Sequence, residues 1–269
     1  MAVPFLQAKE RPLNVRPEGN IRINKFLSEA GVCSRREADR LIESGEVTVD
    51  GIRAQAGMKI SGSETVLVSG KPVKKVKKNV ILAVNKPAGV VCTTDTRWGD
   101  PTLEQMVDYP HRVFGIGRLD KASEGLILMT DNGDIVNRMM RAENGHEKEY
   151  AVTIDRPVEE SFLERMRKGI HLPDLGVRTL PCRAWKTGRC SFRIVLRQGL
   201  NRQIRRMCEA LGCRVKKLVR VRIMNIELGN LPAGSWREVG GEEKRRLMEM
   251  LEKTPAGQKP RKNDTGRKL

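Results

Sequence analysis

Arg118 and Asp120 lie in the segment whose residue types could most readily do chemistry, GIGRLDKASEGLILMT at residues 115–130. Its glycines allow the backbone to turn tightly and would let a ligand approach closely. The apolar run at 126–129 is typical of a buried strand. A carboxylate beside an arginine at the lip of such a strand is placed for chemistry. The alternative is a surface pair that caps the turn, since Asp and Gly are ordinary turn residues.

Three further motifs are spaced along the chain on either side of this turn. They are NKP at 85–87, EKEY at 147–150 and QGLNRQIRRM at 198–207. In this order, the four motifs resemble the signature of the ribosomal RNA pseudouridine synthases of the RsuA family. The stretches 144–150 and 198–207 are most similar to the RluF-type enzymes, which act on large-subunit ribosomal RNA. The resemblance covers most of the chain, and several motifs in the right order are far more specific than any one of them.

The resemblance implies a role for each of three residues. Asp120 is implied to be the nucleophile, which splits one difficult step into two easier ones. Tyr150 is implied to stack on the target uracil and to assist proton transfer, tasks that suit its ring and its hydroxyl; a core tyrosine on a strand is the alternative. Arg118 is implied to fill the gap that remains when the uridine is swung out of the RNA.

A fourth role follows from the Gln-Ile-Arg segment, whose resemblance implies that Arg205 is the cation that keeps the Asp120 carboxylate charged. Residues 202–211 are predicted to form a helix, in which Ile204 and Cys208 are spaced to face the core. Arg205 lies on a different face of that helix. The sequence does not show whether this face meets Asp120, and a phosphate-binding helix face is the alternative.

Asn201 and Arg202 would stand at the start of the same helix, and helix starts attract anions. We therefore expect both residues to contact the RNA backbone. Asn85 and Lys86 close a predicted strand on the other side of the catalytic turn. They are expected either to be structural or to contact phosphate.

The charge of the chain points to a polyanionic partner. Its 269 residues include 51 Lys and Arg against 33 Asp and Glu, which gives a formal net charge of +18. Nucleic acid is the first candidate partner and an anionic membrane the second. No apolar run approaches the roughly 20 residues that a membrane-spanning helix needs, and the start of the sequence shows no secretory signal.

The six cysteines contain no C-x-x-C pair, and the three histidines are scattered. Structural zinc and a disulfide framework are therefore not expected. Reduced thiols fit a cytoplasmic protein. The sequence has no P-loop, no G-x-G-x-x-G and no metal cluster. Because an isomerisation without a redox step needs no cofactor, none is expected.

An N-terminal helix–helix–hairpin unit is predicted over residues 21–68. Its first helix, at 22–30, has apolar residues at helical spacing, and Ser34 with Glu37 forms the pattern of a capping box for the second. The unit resembles the S4-like RNA-binding domain, named after a ribosomal protein, and would bind RNA mainly through phosphate contacts and shape. A solvated basic face is the alternative. The outward basic residues expected to bind RNA are Lys25, Arg35, Arg36 and Arg40.

The rest of the chain has many strand-like runs with a few helices between them, which predicts an α+β fold with a mostly antiparallel mixed sheet. The resemblance implies that the catalytic cleft crosses the middle of this sheet. Strands are predicted at 80–85, 113–114, 126–129, 149–154, 190–196, 218–226 and 235–239, and helices at 135–141, 159–168, 202–211 and 242–251. The predicted organisation is a flexible leader at 1–20, the S4-like domain at 21–68, a charged linker at 69–79, a pseudouridine synthase domain at 80–252 and a disordered basic tail at 253–269.

The first hypothesis is therefore a monomeric enzyme that isomerises specific uridines of ribosomal RNA, with the large-subunit RNA as the favoured substrate. Small-subunit ribosomal RNA or transfer RNA stays open as a substrate, because RNA shape and loop context decide the target. The second hypothesis is a non-catalytic RNA-binding or ribosome-assembly protein of the same fold. A membrane-surface protein is disfavoured, since the predicted amphipathic helices are short and have core-like partners.

Overall fold

The computed structural model describes residues 21–73, 79–93, 99–141 and 144–253. The chain divides into two units, Met1–Lys77 and Lys78–Leu269. The predicted leader lies outside the described residues, as do most of the predicted linker's lysines and all but the first residue of the predicted tail. Across the described parts of the chain, no helix combines the length and the apolarity that crossing a membrane requires.

The first unit contains two helices and six short strands. Its helices are α1 (Ile23–Glu29) and α2 (Arg35–Glu43), and its strands are β1 (Ile21–Arg22), β2 (Val47–Val49), β3 (Ile52–Arg53), β4 (Lys59–Ile60), β5 (Val66–Val68) and β6 (Lys71–Pro72). Strands β3, β2, β5 and β6 form an antiparallel sheet in that order, and β1 pairs with β4. Because the sheet extends to Pro72, the start of the predicted linker belongs to this unit.

The apolar residues predicted to share one helical stripe form the core of this unit. Helix α2 begins at the predicted place, because the Ser34 hydroxyl accepts a hydrogen bond from the backbone N–H of Glu37 at 3.1 Å. This contact satisfies one of the amide groups that a helix start leaves unpaired. The buried core residues are Ile23, Phe26, Leu27, Ala38, Ile42, Val47, Val49, Ala54, Ile60 and Val66.

The second unit is organised around a nine-stranded sheet. Its strands are β7 (Ile81–Lys86), β8 (Phe114–Ile116), β9 (Glu124–Thr130), β10 (Lys148–Ile154), β13 (Arg183–Gly188), β14 (Ser191–Leu196), β15 (Val215–Ile223), β16 (Ile226–Glu227) and β17 (Trp236–Glu238), while β11 (His171–Leu172) and β12 (Val177–Arg178) form a separate pair. The order is β13-β14-β10-β15-β9-β7-β17, with β8 beside β9 and β16 beside β15. Strands β9 and β15 are parallel and the other pairs antiparallel, which confirms the predicted mostly antiparallel mixed sheet.

Five helices cover this sheet: α3 (Leu103–Met106), α4 (Gly133–Met140), α5 (Glu160–Lys168), α6 (Gln203–Ala210) and α7 (Gly241–Glu252). Helices α5 and α6 share a core with β10 and β14. Helices α4 and α7 pack on one face of β7 and β9, and α3 packs on the other. Strand β9 is therefore buried on both faces, which explains why 126–129 is apolar at every position.

A register shift where β10 meets β15 decides which side chains reach which face of the sheet. Glu149 lies opposite Arg222, whereas the next residue, Tyr150, lies opposite Arg220. Val221 is the extra residue, as in a β-bulge. Because side chains alternate between faces and partners share a face, the bulge puts Arg220 and Arg222 on opposite faces.

Some elements differ from the sequence predictions. The predicted strand 218–226 is in fact β15 and the short β16, joined by a tight turn in which Met224 has a φ of 53°. Strand β13 was not predicted, because in RAWKTG only Ala184 is buried and the usual alternation of apolar and polar residues is missing. The remaining predicted helices and strands are present, with small differences in their ends.

Candidate active site

The turn between β8 and β9 holds two polar side chains outward. Leu119 is buried between exposed Arg118 and half-buried Asp120. The backbone N–H of Ser123 donates a hydrogen bond to the carbonyl of Asp120 at 3.0 Å, and the carbonyl of Lys121 accepts one at 2.8 Å from the loop after β7. The Asp120 carboxylate is thus carried on a turn whose backbone is fixed by hydrogen bonds.

Lys86 fixes the same turn from inside the protein. It is fully buried, and its ammonium donates to the carbonyl oxygens of Ser123 at 2.7 Å, Pro87 at 2.8 Å and Lys121 at 3.4 Å. Burial lowers the pKa of this ammonium. Of its two expected roles, Lys86 therefore has the structural one, since a phosphate cannot reach a side chain with no exposed surface.

Gly125 allows the close approach of two strands. It has a φ of 98°, and a Cβ atom there would lie 2.3 Å from the carbonyl oxygen and 2.8 Å from the backbone nitrogen of Arg220. The two residues are register partners in the parallel pair of β9 and β15. The expectation that the turn glycines make room for a ligand is therefore wrong for Gly125, whose space is taken by the backbone of β15.

A cavity of about 600 Å³ opens beside this turn. Its walls come from the turn, from β10 and β15, from the end of α4 and from the loop before α6. It brings together five of the residues that the sequence selected, which are Arg118, Asp120, Tyr150, Asn201 and Arg202. Residues far apart in sequence thus converge on one enclosed space.

Arg205 does not line this cavity, and the structure does not support its predicted pairing with Asp120. Its guanidinium donates to the carbonyl of Ala122 at 3.0 Å, to the hydroxyl of Ser123 at 3.3 Å and to the carbonyl of Val215 at 3.5 Å. The helix face was predicted correctly, but the side chain ends at the backbone after Asp120. Arg205 therefore braces the turn instead of neutralising the carboxylate.

Arg220 lines the cavity, and the sequence analysis did not select it. It is 3% exposed, its Nε donates to the carbonyl of Leu126 at 2.6 Å, and its Nη2 is buried without a partner among the described residues. It lies directly opposite Tyr150 on the neighbouring strand. The available signal was the position of this arginine between two valines, Val219 and Val221, since charged residues are rarely buried without a reason.

The two tyrosines of the chain have different surroundings. Tyr150 packs against the core under α5 and α6 and also lines the cavity, so it combines the core role and the predicted site role. Tyr109 lies elsewhere, where its hydroxyl donates to Glu238 at 2.7 Å and its ring meets Trp236 edge-on. That hydrogen bond raises the pKa of Tyr109 to about 12.

The cavity is strongly basic. Among its described lining residues Asp120 is the one carboxylate, against seven Arg and Lys side chains, which are Arg118, Lys121, Arg141, Lys148, Arg197, Arg202 and Arg220. His146 also lines it, and burial lowers the pKa of its imidazole. Such a concentration of one sign of charge attracts a polyanion. The described residues hold no group of three or more His, Cys, Asp or Glu side chains that could bind a metal ion.

The four basic residues selected in the first unit fall into two pairs. Arg35 and Arg36 are exposed at the start of α2. Arg40 and Lys25 form ion pairs with glutamates of their own helices, at 2.7 Å and 3.4 Å. Surface pairs of this kind are weak and exchange readily, so they do not prevent the two side chains from contacting RNA.

Comparison with known proteins gives matches in both units. Residues 80–210 match the family model described as RNA pseudouridylate synthase, and residues 21–66 match the model of the S4 domain. The first span includes the turn, the whole of the cavity-lining strand β10 and the whole of α6. The second span includes both helices of the first unit.

Individual relatives match over most of the chain. It is 46% identical over 247 residues to the dual-specificity RNA pseudouridine synthase RluF of Escherichia coli, covering 91% of this chain and 84% of that protein. It is 32% identical over 242 residues to the ribosomal large subunit pseudouridine synthase B of Yersinia pestis, covering 86% and 76%. Among solved structures, a crystal structure of a pseudouridylate synthase matches with a TM-score of 0.63 and 28% identity, covering 86% of this chain and all of that one.

Proposed function

The chain belongs to the family of RNA pseudouridine synthases, and on that basis we propose that it converts a specific uridine of large-subunit ribosomal RNA to pseudouridine. The observation that carries the proposal is the cavity in which Asp120, Tyr150 and Arg220 meet. The Yersinia pestis relative, named for the large ribosomal subunit, supports the choice of RNA. A cytoplasmic, monomeric protein fits this substrate.

Asp120 acts as the nucleophile. Its carboxylate attacks the anomeric carbon of a uridine swung out of the RNA, and the bond from that carbon to N1 of uracil breaks. The base turns and bonds again through C5, which then loses its proton. Covalent attack of this kind divides one high barrier into two lower ones. No electrons are gained or lost overall, so the reaction requires no redox cofactor.

Arg220 and Tyr150 complete the catalytic group. The buried guanidinium of Arg220 supplies a fixed positive charge to the cavity that the Asp120 carboxylate also lines. Tyr150 offers its ring to the uracil and its hydroxyl for proton transfer. The two side chains come from directly opposed positions on β10 and β15, so the sheet sets their spacing.

The remaining selected residues hold the RNA. Exposed Arg118, beside the nucleophile, takes the space that the extruded uridine leaves in the RNA, where unstacking costs a few kcal/mol. Asn201 and Arg202 contact the phosphate backbone at the start of α6. The basic residues of the S4 domain, Lys25, Arg35, Arg36 and Arg40, bind RNA outside the site, chiefly through phosphates.

The replacement Asp120→Asn tests this assignment. The full-length variant is incubated with a large-subunit ribosomal RNA transcript labelled with tritium at uridine C5, because product formation releases that hydrogen. We expect no tritium release above background, while RNA binding is retained. Asp174→Asn is the matched control, since Asp174 is exposed and bonds only to Arg206 outside the cavity.

Full tritium release by Asp120→Asn would refute the catalytic assignment. Absence of release by the wild-type protein on every RNA tried would favour the second hypothesis, a non-catalytic ribosome-assembly protein. Rescue of a deletion strain by Asp120→Ala would favour it as well. Transfer RNA is the second candidate substrate, because the Escherichia coli relative is named as dual-specific. Mapping pseudouridines in ribosomal and transfer RNA with and without the gene separates these targets.

A further inference from the structure

Two lysines of the second unit, fully buried Lys86 and half-buried Lys148, use their ammonium groups in opposite ways. Lys86 places all three of its N–H donors near backbone carbonyls and does not line the cavity. Lys148, the first residue of β10, lines the cavity and donates to one described acceptor, the carbonyl of His146 at 3.1 Å. An ammonium has three donors, so Lys148 keeps two for something the protein does not supply.

The position of Lys148 is set by the sheet. It lies two residues before Tyr150, so both side chains share the cavity face of β10. Its register partners are Leu196 and Ile223, both buried. Lys148 therefore stands between two apolar residues of the cavity wall, on the same strand face as the ring that is proposed to stack on uracil.

The charges around Lys148 leave its cation uncompensated. Burial, and then the charge of Arg220, lower the pKa of its ammonium to about 8. Asp120 is not among the causes of this shift, so the nucleophile does not neutralise it. Buried Arg220, with an unused donor, and half-buried Lys148 place two like charges in one cavity, and an oxygen that carries negative charge would relieve this arrangement.

We propose that Lys148 donates a hydrogen bond to a carbonyl oxygen of the flipped uracil and stabilises the negative charge that the base acquires when its bond to ribose breaks. This rests on the proposed function. The electron pair of the bond between the anomeric carbon and N1 stays with uracil, as the Asp120 oxygen takes its place on the carbon. The resulting charge spreads over N1 and both carbonyl oxygens, which makes those oxygens strong acceptors.

Lys148 stays protonated throughout this step. When C5 donates an electron pair to the anomeric carbon, the Asp120 carboxylate leaves with its own electron pair and the base becomes neutral. C5 then loses its proton to solvent while N1 takes one up, so that the product has the same charge as the substrate. A donor fixed in advance at a developing oxyanion requires no reorganisation during the reaction. Phosphate, the other anion of the nucleotide, is the competing ligand for this position, but the strand neighbours of Lys148 are the apolar residues Leu196 and Ile223, which favour the base.

The test compares Lys148→Met and Lys148→Arg with the wild type, as full-length proteins, in single-turnover reactions at saturating RNA transcript. We expect Lys148→Met to slow the reaction about 10²-fold, the loss typical of one oxyanion donor, with the dissociation constant for RNA nearly unchanged. Lys148→Arg keeps the charge and should retain more activity. Lys217→Met is the matched control, because Lys217 lies on β15 outside the cavity and pairs with Glu124.

A pH profile provides a second measurement. An ammonium is required, so the kcat/KM of the wild type should fall as pH rises through about 8, and Lys148→Arg should lose this alkaline decrease because its guanidinium stays charged. The charged and titratable groups that share the cavity from the surrounding elements are Arg118, Asp120, Lys121, Arg141, His146, Tyr150, Arg197, Arg202 and Arg220. A decrease that persists in Lys148→Arg would assign the titration to one of them and overturn the proposal.

Two other results would also overturn it. Weaker RNA binding by Lys148→Met with an unchanged saturated rate would identify a phosphate contact. If Lys148→Met changed neither the rate nor the RNA affinity, Lys148 would only line the cavity without acting on the substrate. Loss of folding in Lys148→Met, seen in its thermal melt, would leave the comparison of Lys148→Arg with wild type as the deciding measurement. A wild-type protein without activity would instead refute the proposed function, so the two failures are distinguishable.

Discussion

Strands β10 and β15 carry similar side chains on their two faces, but in different arrangements. On the outer face, Arg222 donates to Glu149 at 3.0 Å and to Glu147 at 3.3 Å, and Glu147 also accepts from Arg183 at 2.8 Å. On the cavity face, Lys148 and Arg220 have no carboxylate partner among the described residues. The charges of the outer face thus have partners of opposite sign within the protein, whereas the two cations of the cavity face are available to a negatively charged ligand.

This difference separates structural charges from functional ones. A paired, hydrogen-bonded charge contributes little net stability but is costly to break. Unpaired buried cations lower stability, and a protein keeps such features where function requires them. Within one pair of strands, charge pairing is therefore a better guide to function than residue type.

The largest expected effect on activity comes from replacing Arg220 of the cavity face by methionine and comparing the result with the same replacement of Arg222 on the outer face. Arg220→Met should lower kcat by about 10²–10³-fold, as removal of an electrostatic donor in an active site does. Arg222→Met should leave kcat nearly unchanged and instead lower the free energy of unfolding by about 1–3 kcal/mol, because it removes one arginine partner from each of two carboxylates, Glu147 and Glu149. Steady-state kinetics and urea denaturation measure the two effects. Equal losses of kcat in both variants would contradict the conclusion that the cavity-face arginine serves catalysis and the outer-face arginine serves stability.

A smaller effect is expected at Gly125, the glycine against which the backbone of Arg220 packs. Gly125→Ala should destabilise the protein by about 2–3 kcal/mol, since its Cβ would clash with that backbone and its φ is positive. Activity should fall as well, because the cavity-facing arginine shifts. Gly115→Ala is the control: its φ is not positive and its nearest neighbour would be 3.4 Å away. Thermal melts that shift equally for both variants would contradict this account.

The smallest effect is expected on the paired face. Burial alone would raise the pKa of Glu147, but Arg197, Arg183 and Arg222 together hold it below its ordinary value of 4.5. A lowered pKa stabilises the fold above pH 4.5, and this contribution disappears as pH falls through the folded-state value. Glu147→Gln should therefore cost up to about 1 kcal/mol near neutral pH and progressively less in acid.

Urea denaturation measures the free energy of unfolding of wild type and Glu147→Gln between pH 3 and pH 7. This range spans the ordinary carboxyl pKa of about 4.3. A difference in the free energy of unfolding that grows as pH falls would show that the arginines do not favour the ionised carboxylate. The activity of Glu147→Gln should stay close to wild type, because Glu147 does not line the cavity and only one of its three arginine partners, Arg197, does.

The parts of the site that depend on local sequence could be predicted. Asp120 and Arg118 stand in a turn between two short-range signals, the glycines and the apolar run, and Tyr150 stands in an alternating strand. The helical spacing of the first unit likewise predicted its buried residues, including Phe26 and Ala38. Each of these inferences needs only the residues within a few positions.

The buried arginine of the cavity could not be predicted in this way. Arg205 was selected from the resemblance of its Gln-Ile-Arg segment, and neither that resemblance nor its helix face says where a long side chain ends. Arg220 reaches the cavity because of a strand pairing across more than 90 positions of sequence and because of the bulge at Val221. Simple alternation would have put Arg220 and Arg222 on the same face.

The narrow parallel contact between β9 and β15 has a consequence for durability. It joins the two parts of the sheet through only two register pairs, Val219–Glu124 and Arg220–Gly125, although one hydrophobic core includes residues of both parts. Asp120 stands on one side of this junction, and Tyr150 and Arg220 stand on the other. Mild heat or denaturant that loosens the junction would change the spacing of these side chains, so we expect turnover to decline before secondary structure is lost.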